Sequence, residues 1–189
     1  MPISPLPESG RQLLTVARAF TALQDDIRAL DWTPGTEAAE MFIPLVARTH
    51  ELTTTTLTHL TTLTKDTGFT SAPGGSARLS TIAAAAASAS SATAALTSAL
   101  MELPYDGAPF PGYPAPTEEQ RNTQRAAAQP VIAELLADAA HRLDVGATCL
   151  HYTAATTGRS RDTATLTTSG PWPGHATSAS SAPVRGSPR

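Results

Sequence analysis

Between Leu13 and Leu30 the apolar residues Leu13, Val16, Phe20, Leu23, Ile27 and Leu30 recur at alternating spacings of three and four. With 3.6 residues per turn, that spacing places them on one stripe of an amphipathic α-helix. Ser9 followed by Gln12 has the form of a capping box, and Asp31-Trp32-Thr33-Pro34-Gly35 interrupts the pattern, so the first helix is expected over about 9–31. A second stripe carries Met41, Phe42, Leu45, Leu52, Leu60 and Leu63, with Thr49 and Thr56 among them, and predicts a helix over about 36–67. Eleven threonines between Thr49 and Thr70 oppose it through lost rotamer freedom, so packing must compensate. Pro44 is expected to kink this helix and Gly68 to cap its end.

Beyond Pro73-Gly74-Gly75 the positions Leu79, Ile82, Ala86, Ala89, Thr93, Leu96, Leu100 and Leu103 again alternate three and four, predicting a third helix over about 76–103. Its opposite face is Ser, Ala and Thr rather than charge. That composition suits a central helix or a subunit interface, with Ala83 to Ala87 allowing a second copy of the chain to approach closely. The stretch 104–116, PYDGAPFPGYPAP, is too proline-rich for a helix and reads as a connector with polyproline II character. Thr117 and Gln120 form a second capping box. The fourth stripe is Ala128, Ile132, Leu135, Leu136, Ala139, Leu143, Ala147 and Leu150, predicting a helix over about 117–157 that bends at Pro130 and fades between Gly146 and Gly158.

Short and medium connections favour antiparallel neighbours, so the expected architecture is all-α, an up-and-down four-helix bundle over residues 1–157. Residues 158–189 are Ser, Thr, Pro, Gly and Arg with few large apolar side chains, and are expected to be a disordered basic tail in which Trp172 is the one residue able to dock. No internal repeat is present.

Composition changes this picture in one respect. Aromatic residues are 5% of a chain that is 41% hydrophobic, so the core must be built from aliphatic side chains and Ala, and helices must approach closely. Charge divides the chain: the formal net charge is −3, Arg159, Arg161, Arg185 and Arg189 against Asp162 give +3 to the stretch after Thr157, and the rest carries −6. An acidic body lacks the clustered Lys and Arg that phosphate backbones require, so nucleic-acid binding is not expected.

The single cysteine, Cys149, excludes an internal disulfide and fits a reducing compartment. Residues 1–10 have neither a basic region nor an apolar run, so no secretory signal is expected and a cytoplasmic location is the default. Leu79 to Met101 is 23 residues without a charge, long enough to span a bilayer. Its Ala, Ser and Thr content and the lack of Trp, Tyr or Lys anchors make it a poor span, and no membrane partner is expected.

Candidate chemistry is sparse. His50, His59, His141 and His151 fall on the second and fourth helices, where bundle cores hold metal ligands, but His141 lies opposite the apolar stripe and the other three lie near stripe edges. Neither an HxxxH pair nor an ExxH motif occurs, so boundary or surface histidines are expected, with no metal and no cofactor. The four-helix layout with its histidines resembles DinB-like thiol-transferase bundles. That likeness is one of architecture, and it implies a metal-dependent enzyme with a histidine triad, whose spaced ligand pattern this sequence lacks. Trp32-Thr33-Pro34-Gly35 between two helices resembles the WxG turn of small type VII secretion substrates, with the glycine one place late.

No GxSxG elbow, Walker loop or GxGxxG is present, so no catalytic residue is assigned. Two places remain as candidate sites. Tyr105, Phe110 and Tyr113 stand among the connector prolines, either closing the bundle end or contacting a partner protein. Pro44 and Pro130, on helices expected to run parallel, would open a pocket beside Phe42 and Val131. The function these features support is a non-enzymatic interaction or regulatory protein.

Overall fold

The structure is a computed structural model that describes residues 8–108 and 111–168, the side chains of 158–168 excepted. The described residues form five helices and no strand: α1 (Glu8–Arg28), α2 (Thr36–Lys65), α3 (Thr67–Ser71), α4 (Gly75–Met101) and α5 (Glu118–Thr168). The chain is all-α, and its four long helices are those the periodicity predicts. Helix α5 runs on to Thr168, past the expected end near 157, and passes through Gly146 without a break. Residues 169–189 of the expected tail, Trp172 among them, lie outside the described residues.

Each helix turns its predicted stripe inward, though Met41, Leu52 and Leu60 of α2 and Leu79, Thr93 and Leu100 of α4 stay half-buried, and on α4 the unpredicted Ala85, Ala92, Ala95 and Ala99 are buried instead. Leu13, Val16, Phe20, Leu23 and Ile27 of α1 meet Ile132, Leu136, Leu143 and Leu150 of α5 in one core, to which α4 contributes Ile82, Leu96 and six alanines from Ala85 to Ala99. Helix α5 packs along both α1 and α4, and α2 packs on α4 and more sparingly on α1. The backbones of α2 and α5 do not approach each other, nor do those of α1 and α4. A glycine permits close approach in α5: a Cβ placed on Gly146 would lie 2.4 Å from Phe20 Cε1 and 3.5 Å from the Ala85 carbonyl oxygen. Phe20 is fully buried and has no room to retreat, so that position requires glycine.

The threonines of α2 fit the helix because their hydroxyls turn onto its own backbone. Thr49 and Thr56 are fully buried, and each donates to the carbonyl four residues earlier, Leu45 and Leu52, at 2.7 Å. Thr53, Thr54, Thr58, Thr61 and Thr62 make the same bond. With its hydroxyl satisfied, such a threonine presents a methyl group and packs much as a valine does.

Of the expected caps, one forms and two do not. The capping box at α5 forms, with the Thr117 N–H donating to Gln120 Oε1 at 2.8 Å and the Gln120 N–H to Thr117 Oγ1 at 3.3 Å. That expected at Ser9 does not, because α1 already includes Glu8 and the Gln12 side chain donates to Glu8 instead. Nor does Gly68 cap α2. Asp66 ends that helix and starts α3, accepting from the Gly68 and Phe69 N–H groups, and α3 swings Phe69 over the buried Arg78, whose guanidinium carbon is 4.9 Å from the ring centroid. Helices α2 and α5 run through Pro44 and Pro130 without interruption. Glu40 and Ala126, whose carbonyls lose their intrahelical donor to these prolines, are exposed residues.

One helix among the described residues, α4, is long and apolar enough to cross a membrane. In the fold it lies between α2 and α5.

Candidate functional site

Helix α2 carries a second stripe beside its buried one. Ile43, Ala47, His50, Thr54, Leu57 and Thr61 fall within about 40° of one direction at 100° per residue, and all six are exposed. Helix α4 repeats that spacing with Ala83, Ala87, Ser90, Ala94, Thr97 and Met101, again all exposed. Between the two rows runs a shallow groove of about 410 Å³ lined by Ile43, Val46, Ala47, His50, Thr93 and Leu100. Neither row contains a formally charged residue. Ile43, Leu57 and Met101 are 55%, 47% and 80% exposed, large apolar side chains on a face whose α2 row meets its first charged side chain, the exposed Lys65, one turn beyond Thr61. Ala85, in the middle of the small-residue run, points inward and is fully buried, whereas Ala83, Ala84 and Ala87 point out.

A second groove, of about 500 Å³, separates α1 from α2. Val16, Leu23 and Leu52 form its floor, with Arg48, Glu51 and His59 at its rim. Asp26 and Arg48 pair across the helices at 2.6 Å.

The connector is held down by Asp106. Its carboxylate accepts from the Thr36 N–H at 2.9 Å, the first turn of α2, and from Arg125 of α5 at 2.9 Å. It thereby supplies the N-terminal cap that Gly35, with no side chain, does not. Gly35 has φ +155°, and a Cβ there would stand 2.9 Å from the same carboxylate, so both backbone and space select glycine. The Thr36 N–H, then the Arg125 guanidinium, hold the Asp106 carboxyl below its usual range against the opposing effect of burial. Glu118 is lowered in the same direction by its hydrogen bond and ion pair with Arg121.

The residues singled out from the sequence are scattered over this frame. Tyr105 and Tyr113 are 63% and 65% exposed, while Leu103, just before the connector, packs against the core; Phe110 lies outside the described residues. Phe42 is fully buried and meets Trp32 edge to face at 5.7 Å between ring centroids. Pro44 and Pro130 are exposed on helices whose backbones do not approach each other, and no cavity beside Phe42 is lined by both prolines among the described residues. Val131 lines a different cavity, about 570 Å³, under Pro104 and Tyr105. The four histidines are not brought together: His59 lines the α1–α2 groove, His50 the α2–α4 groove, and His141 and His151 are exposed on α5. Among the described residues no three His, Cys, Asp or Glu side chains converge on a point that would hold a metal ion. Cys149 is half-buried against the core.

Sequence reasoning missed the exposed row of α2 and the Asp106 bridge. The first has a signal, a second run of spacings four and three offset from the core stripe. The second has none, since nothing local links Asp106 to a helix start 70 residues earlier. A comparison with known protein families, curated proteins and solved structures finds no match for this chain.

Proposed function

We propose that this is a non-enzymatic interaction protein, an up-and-down bundle of its four long helices that works through the outer face of α2 and α4. The partner that best fits that face is a second copy of the chain. The observation that carries this reading is the pair of exposed, charge-free rows with Ile43, Leu57 and Met101 on them. Depletion of charge is what distinguishes the centre of a protein interface from ordinary surface. A two-fold contact sets a patch against itself, which an uncharged patch tolerates and a patch of one sign does not.

Size sets the strength of the contact. Each row spans 19 residues, a rise of about 27 Å, and two helices side by side cover about 20 Å, giving roughly 500 Å² per copy. That total of roughly 1,000 Å² is the lower edge of a specific interface, so the dimer is weak and concentration-dependent.

Sedimentation velocity over a concentration series tests the proposal. The mass should rise toward twice the chain mass at hundreds of micromolar, and Ala87→Glu should abolish the rise while leaving the melting temperature unchanged. A chain that remains monomeric throughout overturns the second-copy reading. Stoichiometric metal in the purified protein, lost in a His50→Ala variant, would overturn the interaction reading in favour of a metal-dependent enzyme. The exposure of Tyr105 and Tyr113 favours a second contact point for a partner protein at the connector.

A further inference from the structure

We draw no further inference here: the strongest candidate, the groove between α1 and α2 floored by Val16, Leu23 and Leu52, is an apolar face and nothing in the structure shows what covers it.

Discussion

Helices α5 and α2 each lie between α1 and α4, yet they meet those neighbours in different ways. Along α5 from Ala139 to Ala154 the contacts are made by Ala139, Ala140, Gly146, Ala147 and Ala154 between larger Leu and Ile side chains, and a Cβ on Gly146 would already clash with Phe20; the cavity of about 570 Å³ on this helix lies nearer its start, beside Gln124, Ala128 and Val131. Along α2 the buried Phe42, Leu45 and Leu63 are separated by Thr49, Thr56 and the half-buried Leu52 and Leu60, and a groove remains on each side, about 500 Å³ toward α1 and about 410 Å³ toward α4. Side-chain size explains the contrast. Gly and Ala let two backbones approach until the larger residues of one helix fill the spaces of the other, while threonine keeps the axes apart and its satisfied hydroxyl gives nothing to the neighbour. Helix α2 is instead tied at particular points, by Asp26 to Arg48 and by Asp106 at its start.

The largest effect that would break this comparison comes from charge inside the closed side. Ala85→Glu places an unpaired carboxylate in a fully buried site and should cost about 3–5 kcal/mol, enough to unfold a marginal domain, whereas Ala87→Glu on the exposed row should stay within about 0.5 kcal/mol. Urea unfolding of the two variants measures this, and equal midpoints would show that Ala85 does not face the core.

Enlarging a residue on each side sharpens the same contrast. Gly146→Ala gains about 1 kcal/mol of helix propensity, but overpacking against the fully buried Phe20 costs about 1–3 kcal/mol, so the variant should be less stable. Ala22→Leu, which extends into the open α1–α2 groove, should be neutral or slightly stabilising. Thermal melts that rank the two in the opposite order would contradict tight packing at Gly146 of α5 and an open groove beside α2.

Asp106 gives a smaller effect with a defined pH dependence. Its carboxyl is lowered from the usual 3.8, so its contribution is complete above that value and is lost as pH falls through the lower folded value. Asp106→Asn should cost about 1 kcal/mol at neutral pH, the scale of a helix cap, and the variant should lose less stability than the parent below about pH 4. Parallel acid limbs in the two stability profiles would count against the bridge.

The smallest effect is expected at the far end of α5. The described core ends with Ala154 and Thr157, so ending the chain after Thr157 should lower the melting temperature by less than about 5 °C. A larger drop would mean that residues beyond 157 belong to the packed body.

Sequence alone determined the helices themselves. Leu13 to Ile27, Ile82 to Leu96 and Ile132 to Leu150 carry a period that only a helix can bury on one side, and chain length between Pro- and Gly-rich breaks set the extents to within a few residues, except at the end of α5. The capping box at Thr117 was legible because both partners lie within one turn. What only the tertiary structure decided is which helix lies beside which, and therefore which unburied rows become surface. Periodicity specifies a direction around one axis and carries no information about the neighbour in that direction. Ala83 and Ala85 differ by two positions in an almost uniform run, yet one is exposed and the other sealed against α5. Asp106 joins Thr36 and Arg125 because the fold returns the connector to the start of α2, a contact between residues far apart in the chain that no local pattern encodes.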